Sequence, residues 1–396
     1  MTADDLPKRR QREGYAGVVL TCPVSVPYVR YSIEPAHHFI AAALRGLVAA
    51  SGIAHTAFDG FSLASFTAAP DTAIGLTQHF GLSPRLVDDV ALGGASAVAT
   101  VRKVARAVQF GDADIVACVA ADTNHVDSFR RTLASFSRFS QEAVLPYGAG
   151  GPNMSFALIA QNYMRATGAR REDFGKLCVA QRAFARLNPR ALMQKPLTLD
   201  DYLRARPIAD PITLYDCVMP CAGAEAFLVM REAEAARRGL PFVRLSASIE
   251  RHNTFIDDPV QVRGGWLADA DELYAMAGAG PRDMDLVETY DDYPVISMLQ
   301  FEGLGLCAVG EGPQFVRSND FGPGGTVAHN TGGGQLSSGQ AGAAGGHLGV
   351  VEAIRQLTGA AGAAQVDGAR RALVSGFGMI NFDRGLASGA LVLEAA

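Results

Sequence analysis

Short apolar runs alternate with longer segments of helical periodicity along most of this 396-residue chain. Residues 97–110 repeat apolar side chains at helical spacing and stop at Gly111. Residues 114–121 (DIVACVAA) follow at once and predict a fully buried strand. Because strands that alternate with helices pack into a helix-covered sheet, the pattern predicts an α/β fold.

The alternation occurs twice, and a segment of different composition interrupts its first half. Residues 122–211 are rich in aromatic, Arg and Pro residues and predict an insertion. Strands predicted at 243–249, 285–289, 371–375 and 390–393 repeat the scheme in the second half. We therefore predict a flexible lead-in over 1–14, a first half over 15–245 with its insertion at about 122–211, and a second half over 246–396.

The composition narrows the class of protein. Hydrophobic residues make up 48% and charged residues 19%, which supplies a core and excludes a disordered chain. The net charge of −5 argues against a nucleic-acid partner, which would favour a basic face. Apolar stretches are too short for a membrane span, and the charged N-terminus lacks the apolar segment of a secretion signal. We expect a cytoplasmic protein that binds neither nucleic acid nor membrane.

The six cysteines are scattered along the chain, as is typical of reduced, buried thiols in a cytosolic protein. Cys217 and Cys221 have the spacing of half a zinc site, but a second Cys or His pair is missing from the neighbouring sequence. The sequence therefore predicts no metal site.

Three loops combine glycine with polar residues, at 92–96, 329–340 and 374–378. The first precedes the helix at 97–110, and a helix N-terminus offers unpaired N–H groups and a partial positive charge. Such a place suits an anion or a developing oxyanion. The sequence has neither a GK[ST] phosphate loop nor a G-x-G-x-x-G motif after its first strand, which disfavours nucleotide hydrolysis and dinucleotide binding.

In order and spacing, these loops resemble the thiolase superfamily and, within it, the sterol-carrier-protein-2-type thiolases, over residues 15–396. The family's C-x-S-G pattern, whose cysteine is the nucleophile, aligns with Gly94-Ala-Ser96-Ala97. Its N-x-x-G-G-x-x-x-x-G-H loop matches residues 330–340, with Gln340 in place of the histidine. The resemblance implies a thiolase-like α/β fold of two similar halves in α-β-α-β-α layers, with a loop-domain insertion in the first half. It also implies an acyl-CoA substrate, a role in lipid metabolism, no covalently bound cofactor, and a homodimer or dimer of dimers.

The departures from the family pattern bear on the chemistry. Thiolases need a thiolate that carries the acyl group and a second base that moves a proton, and neither Gly94 nor Gln340 supplies them. We interpret Ser96 and Ser375 as turn and helix-cap residues rather than nucleophiles. The N–H groups at the start of the helix and at Gly376 still suit a thioester carbonyl or an enolate.

Cysteine-less relatives are retro-aldolases that cleave a β-hydroxyacyl-CoA and work with a small zinc-ribbon/OB-fold partner. They carry tyrosines where thiolases have histidine or asparagine. Tyr290 matches one of these positions, and Gln340 occupies the other. Tyr290 is thus a candidate acid or base, although a charged Asp291 or Asp292 nearby would raise its pKa. Either aspartate is also a candidate base, with an N-cap of the helix that follows at 295 as the alternative.

The other candidates lie in the glycine loop and the insertion. His329 and Gln340 are candidates for catalysis, with core packing as the alternative for His329. The candidates for substrate binding are Asn330, Gly333, Gly334, His125 and Tyr147.

The leading hypothesis is an acyl-CoA-binding, thiolase-like enzyme that makes or breaks a carbon–carbon bond by an aldol or retro-aldol step without a cysteine. One alternative is a non-catalytic thiolase-fold subunit or scaffold. The other is an acyltransferase whose nucleophile lies elsewhere, such as Cys118 or Cys307.

Overall fold

The computed structural model describes residues 14–125 and 151–396, together with Glu142, Pro146 and Gly148 between them. The predicted lead-in and the first part of the predicted insertion therefore lie largely outside the described residues. The strands in the described part are β1 Val18–Val29, β2 Gly60–Ala64, β3 Leu86–Asp89, β4 Ile115–Asp122, β5 Pro207–Ala209, β6 Ile212–Thr213, β7 Ala222–Arg231, β8 Phe242–His252, β9 Leu286–Glu288, β10 Ala328–His329, β11 Arg371–Asn381 and β12 Arg384–Ala395.

The α-helices of the same residues cover both faces of the sheet and build the insertion. They are α1 Ala36–Ser51, α2 Ala73–His79, α3 Ser96–Phe110, α4 Pro152–Thr167, α5 Arg171–Leu187, α6 Leu199–Leu203, α7 Glu232–Arg237, α8 Trp266–Ala277, α9 Pro294–Gly303, α10 Gly312–Ser318, α11 Gly334–Ser338 and α12 Gly345–Leu357. α3 ends where the sequence predicts, because Gly111 adopts a left-handed backbone conformation just after it, and Gly52 does the same after α1.

The large sheet is built from two halves with the same strand arrangement. Its order in the described residues is β10-β9-β11-β12-β8-β1-β7-β4-β2-β3. In each half, two antiparallel strand pairings are followed by a parallel one. The order is β1-β7-β4-β2 in the first half and β8-β12-β11-β9 in the second. β1 and β8 pair antiparallel at the centre and join the halves. The predicted α/β class and the two similar halves are confirmed.

Alternation along the strands separates the core into layers. Val19 of β1 packs with α1 on the outer face of the first half, whereas Leu20 packs with α3 and α12. Strands of the second half contribute to this same central cluster, so α3 and α12 lie between the two halves of the sheet. The outer face of the second half packs against α4, α5, α8 and α9. The result is the predicted α-β-α-β-α layering.

Element bounds differ from the sequence expectation mainly at the strands. The expected boundary between halves at 245/246 falls inside β8, and the periodicity of the sequence missed β3, α2 and α10. The last strands are longer than predicted because β11 and β12 pair over their whole length, from Arg371–Glu394 to Asn381–Arg384.

Candidate functional site

A pocket with a free volume of about 120 Å³ opens beside the start of α3. Its lining combines apolar and aromatic side chains with polar and acidic ones. The lining residues are Phe66, Thr67, Gly93, Gly94, Asp122, Thr123, Asn124, Pro152, Phe156, Pro220, Cys221, Tyr290, Asp292, Gln340, Gly342, Phe377, Gly378, Met379 and Ile380. The structure therefore brings together Gly94, Tyr290, Asp292 and Gln340 from the sequence-predicted candidates.

Gly94 and Tyr290 compete for one position in this pocket. A Cβ atom built on Gly94 would overlap Cε2 and Cζ of the Tyr290 ring, and it would also overlap the carbonyl oxygen of Phe377. The phenol thus occupies the space into which a side chain at position 94 would project. Because the Tyr290 ring and the Phe377 carbonyl oxygen both lie in this space, position 94 accepts only glycine.

The Tyr290 hydroxyl is held by two neighbouring polar groups. The Nε2 group of Gln340 donates to Tyr290 Oη at 2.9 Å and also contacts Asp292 Oδ1. The Asp292 carboxyl group lies near the same hydroxyl and acts on its pKa. Since an ionised carboxylate only accepts, the phenol is the donor in any hydrogen bond between the two. The Gln340 amide thus joins the three side chains in one hydrogen-bonded cluster in the pocket lining.

Burial acts on the pKa values of both acidic groups in this cluster. Burial, helped by the charge of Asp292, raises the pKa of Tyr290 well above its ordinary value, so the phenol stays protonated at neutral pH. Burial raises the pKa of Asp292 to about 7, and the nearby Asp291 adds to this rise. Asp292 is therefore the group in the cluster that exchanges a proton near neutral pH, and Tyr290 is a hydrogen-bond donor. The predicted rise in the pKa of Tyr290 is confirmed.

The backbone of Tyr290 is fixed from the other side by Gln300 of α9. Gln300 Oε1 accepts from Tyr290 N at 3.2 Å, and Gln300 Nε2 donates to Tyr290 O at 2.7 Å. Ser375 Oγ donates to the same Gln300 Oε1 at 2.6 Å. Ser375 lies in β11, so the prediction of a turn or cap residue is wrong for it, and it orients the amide that holds Tyr290.

Asp291 points away from the pocket although it adjoins Asp292 in sequence. Its Oδ1 accepts from Gln335 N at 2.9 Å, and its Oδ2 accepts from Leu336 N at 3.3 Å. Asp291 thus caps α11, and a Cβ atom on Gly334 would overlap its carboxylate. The prediction that an aspartate caps the helix after residue 293 is wrong, because α9 begins after Tyr293 and has no side-chain cap.

Ser96 and Gly376 pack closely around the start of α3. Ser96 Oγ accepts from Leu92 N at 3.3 Å and donates to Val90 O at 3.4 Å, which confirms its role in the turn. A Cβ atom on Gly376 would lie 2.9 Å from both Gly94 O and Ala95 Cα, so β11 approaches the helix start backbone to backbone. Gly376 itself is not among the residues that line the pocket, and the Ala95 N–H already donates to Leu92 O at 3.0 Å, so the oxyanion role of these groups stays a prediction.

The glycine loop supports the site from behind. His329 is fully buried, its Nε2 pairs with Thr289 Oγ1 at 2.8 Å, and burial lowers its pKa to about 3. Asn330 Oδ1 accepts from Thr289 N at 2.8 Å and so braces the strand that leads to Tyr290. Gly333 packs on α5, where a Cβ atom would lie 2.7 Å from Ala185 Cβ. The structure places these residues in the scaffold rather than on the pocket surface.

The two candidates from the insertion are the least defined. His125 is partly buried and directly follows Asn124, which lines the pocket. Tyr147 lies outside the described residues.

Asp122 is a pocket residue that the sequence reasoning missed. It ends β4 and accepts hydrogen bonds from Phe66 N at 2.9 Å, Thr67 N at 2.6 Å and Ala343 N at 2.7 Å. It thereby ties the loops after β2 and before α12 to the end of its own strand. An acid directly after the apolar run at 114–121 is the signal that would have identified it.

The cysteines give no support to a displaced nucleophile. Cys118 is fully buried in β4, and burial raises the pKa of its thiol well above the ordinary value. Burial raises the pKa of Cys307 to about 12. Cys221, which does line the pocket, also has a raised pKa because of burial and the charge of Glu225. Such thiols carry little of the reactive thiolate at neutral pH.

Metal ligands and membrane spans are both absent from the described part of the chain. Residues 14–125 and 151–396 contain no group of three or more His, Cys, Asp or Glu side chains placed to hold a metal ion. Within the same ranges, none of the helices has the length and apolar character needed to span a membrane.

Comparisons with known proteins agree with this geometry. The family model "Thiolase C-terminal domain-like" matches residues 248–387. A steroid side-chain-cleaving aldolase of Thermomonospora curvata is 30% identical over 338 residues, which cover 80% of this chain and 84% of that protein. The chain belongs to the thiolase superfamily. A 17-hydroxy-3-oxo-4-pregnene-20-carboxyl-CoA lyase of Mycobacterium tuberculosis is likewise 30% identical, over 81% of this chain and 86% of the lyase.

Solved structures confirm the thiolase fold. The structure of an Ltp2-ChsH2(DUF35) aldolase matches with a TM-score of 0.83 and 26% identity, over 96% of this chain and 98% of that chain. An SCP2-thiolase-like protein type 1 from Mycobacterium smegmatis matches with a TM-score of 0.70 and 17% identity, over 96% and 77%. The predicted resemblance to sterol-carrier-protein-2-type thiolases is confirmed.

Proposed function

We propose that this protein cleaves the bond between Cα and Cβ of a β-hydroxyacyl-CoA by a retro-aldol reaction, without an acyl-enzyme. The observation that carries the proposal is the Tyr290 ring in the space of the family's nucleophilic side chain, with its hydroxyl joined through the Gln340 amide to the carboxyl group of Asp292. The relatives named an aldolase and an acyl-CoA lyase support the same reaction class.

The proton moves through Asp292. Its carboxylate accepts the proton of the substrate β-hydroxyl as the Cα–Cβ bond breaks, and the β-carbon leaves as a carbonyl compound. The electron pair of the broken bond becomes the enolate of the shortened acyl-CoA. Asp292 then returns the proton to Cα, so the reaction consumes no other acid or base. Tyr290 stays protonated and donates a hydrogen bond to Asp292 or to the reacting oxygen.

The enolate needs donors for its negative oxygen. We assign this role to backbone N–H groups at the start of α3 and at Gly376. The close packing of β11 on Gly94 and Ala95 supports the assignment, because it holds these two segments next to each other. Aromatic rings, among them Phe156 and Phe377, also line the pocket, and Phe156 stacks on Tyr293 behind the lining with ring centroids 3.9 Å apart. This aromatic lining suits an apolar group on the β-carbon of the substrate.

Assembly and location are part of the proposal. We infer a homodimer or dimer of dimers in the cytoplasm that acts in lipid metabolism with a small zinc-ribbon/OB-fold partner. The structural match to an Ltp2-ChsH2(DUF35) aldolase supports a two-protein assembly, and so does the benzoylsuccinyl-CoA thiolase subunit BbsB of Thauera aromatica, of which this chain covers 53%. Light scattering of the eluting protein, with and without the partner, tests this assembly directly. We expect one stable complex of the two proteins, and their separate elution would contradict the inference.

The activity test uses a panel of β-hydroxyacyl-CoA esters, with products identified by mass spectrometry, with and without the partner. We expect a shortened acyl-CoA and a carbonyl compound from the wild-type protein. Asp292→Asn should lower the rate by about 10²–10⁴-fold, the range of one general acid–base group. Tyr290→Phe should lower it by a smaller factor.

A matched control exists elsewhere in the chain. Tyr202 donates to Asp216 in a buried pair outside the pocket lining, so Tyr202→Phe and Asp216→Asn change the same chemistry away from the site. Both controls should keep the activity of the wild type. Binding of CoA esters without turnover, even with the partner present, would favour the scaffold alternative and overturn the proposal.

A further inference from the structure

Behind the Tyr290–Asp292 pair lies a second amide, Gln335, to which the proposed mechanism gives no role. It belongs to the first turn of α11 and is 1% exposed. Its Oε1 accepts a hydrogen bond from Gln340 Nε2 at 3.1 Å. Its backbone N–H donates to Asp291 Oδ1 at 2.9 Å, and its side-chain Nε2 faces the same oxygen at 3.5 Å.

The two ends of the Gln335 amide therefore have different partners. An ionised carboxylate only accepts, so Asp291 attracts the amide nitrogen and leaves Oε1 directed toward Gln340. Gln340 then meets an acceptor on each side, because Gln335 Oε1, Tyr290 Oη and Asp292 Oδ1 all surround its Nε2. If the two ends of the Gln340 amide were exchanged, its oxygen would face these oxygen atoms and could not donate a hydrogen bond to them.

The chain leaves room for this arrangement at Gly345. A Cβ atom there would overlap Gln335 Oε1 and would lie 3.1 Å from Gln340 Cγ. The main chain of Gln340 is fixed independently, since its N–H donates to Met219 O at 2.9 Å and its carbonyl accepts from Cys221 N at 2.9 Å. Only the side chain of Gln340 is left to be oriented.

We propose that Gln335 is a positioning residue that sets the orientation of the Gln340 amide and, through it, the hydrogen bonds that hold Tyr290 and Asp292. The inference rests on the proposed function for its consequence in catalysis, but the geometry it describes is independent of turnover. Gln335 contacts none of the reacting groups directly and acts through Gln340.

The first test is a carboxyl NMR titration of Asp292, assigned with Asp292→Asn, in the full-length protein. Donation from Gln340 favours the ionised form of Asp292. Gln335→Met releases the Gln340 amide, so the titration midpoint should rise by about one pH unit, the effect of one hydrogen bond to a charged group. Because this readout needs no turnover, it stands even if the proposed activity is absent. An unchanged midpoint would overturn the inference.

The second test is a double-mutant comparison in the cleavage assay. Gln335→Met should lower kcat about fivefold to tenfold with little change in KM and move the acid limb of the pH profile upward. The double variant Gln335→Met/Gln340→Met should match Gln340→Met alone, since Gln335 acts through Gln340. Additive losses would show an independent structural role and contradict the inference.

Two further variants guard against a folding defect. Gly345→Ala displaces the Gln335 amide without removing it and should give the same upward shift. Gln356→Met removes another buried amide, whose Nε2 contacts Thr331 and Glu352 at 3.0 Å, and should leave the titration of Asp292 unchanged. A shift in Gln356→Met equal to that in Gln335→Met would overturn the assignment.

Discussion

At the scale of single residues, Gly94 and Tyr290 share one space in the pocket. Gly94→Cys would restore the family's nucleophile to a place that the phenol already fills. We expect this variant to lose about 1–3 kcal/mol of unfolding free energy through overpacking and to form no acyl-enzyme. Chemical denaturation and intact-protein mass spectrometry measure the two effects.

The control for this prediction is Gly75→Cys in α2, where a Cβ atom would meet no atom within 4 Å. Gly75→Cys should leave the unfolding free energy close to that of the wild-type protein. Gly94→Cys should cost less stability in a Tyr290→Ala background than in the wild-type protein, because the ring is gone and only the overlap with the Phe377 carbonyl oxygen remains. A single Gly94→Cys variant as stable as the wild-type protein would contradict the packing argument.

The pH dependence of cleavage is also decided by individual side chains. Because burial raises the pKa of Asp292 to about 7, the wild-type kcat/KM should fall as the pH drops through that value and the base becomes protonated. Tyr290 favours the ionised carboxylate by donating to it, so Tyr290→Phe should move this acid limb upward by about one unit. Tyr202→Phe should leave the limb in place, and a downward shift in Tyr290→Phe would contradict the assignment.

The sequence predicted the individual site residues only in part. Gly94, Tyr290 and Gln340 were identified because each interrupts a motif of the family. The sequence alone could not distinguish Asp291 from Asp292 as the candidate base. The directions of two neighbouring side chains in a loop depend on the folded backbone. Gln335 and Asp122 were missed because each has a partner in a distant segment of the chain, Asp291 and Ala343 respectively.

At the scale of elements, the end of β4 organises the mouth of the pocket through Asp122. Its carboxylate receives N–H groups from the loop after β2 and from the loop before α12. Asp122→Ala leaves these buried donors without an acceptor, so we expect a loss of about 2–4 kcal/mol in unfolding free energy and a higher KM. Denaturation and steady-state kinetics provide the measurements.

Asp201→Ala is the comparison for this change. Asp201 also accepts backbone and hydroxyl hydrogen bonds, but it lies in the exposed first turn of α6. Water can replace its contacts, so its removal should cost well under half as much. Equal losses in both variants would mean that Asp122 does not join the loops as described.

Most elements could be predicted from the sequence because helical periodicity and glycine stops are local signals. The helix predicted at 97–110 matches α3 to within one residue at its start and ends at the same residue. The strands β3 and β10 could not be predicted from such local signals, because each is short and forms by pairing with β2 or β9, respectively. Pairing of this kind depends on tertiary contacts that a local pattern does not contain.

At the scale of the whole molecule, two buried histidines couple folding to pH. Burial lowers the pKa of His329 and of His347 to about 3, whereas an unfolded chain binds the proton near pH 6.5. Between these values the unfolded state binds more protons, so the contribution of each histidine to stability falls as the pH drops below about 6.5. Buried acids with raised pKa values, Glu225 and Asp292, act in the opposite direction.

His347→Leu isolates one histidine from the rest. The variant should lose less stability than the wild-type protein between pH 7.5 and pH 5.5, by about 1 kcal/mol, as measured by urea denaturation at both values. His55→Leu, at an exposed position, should follow the wild-type curve. Parallel curves for His347→Leu and the wild type would contradict the account of a buried neutral imidazole.

The overall architecture was the most predictable level. Two rounds of strand–helix alternation indicated two halves, and the sheet shows the same strand order in each. The sequence did not show that β1 and β8 would join the halves into one sheet, because that pairing spans Val19–Thr21 and Phe242–Arg244 only.

The central claim is that the carbon–carbon bond breaks through an enolate and without a covalent intermediate. The most direct measurement is one turnover of a β-hydroxyacyl-CoA in heavy water, followed by mass spectrometry of both the products and the intact protein. The account predicts a shortened acyl-CoA with one solvent-derived deuterium on its α-carbon and a protein of unchanged mass. An acylated protein, or a shortened acyl-CoA without deuterium, would contradict it.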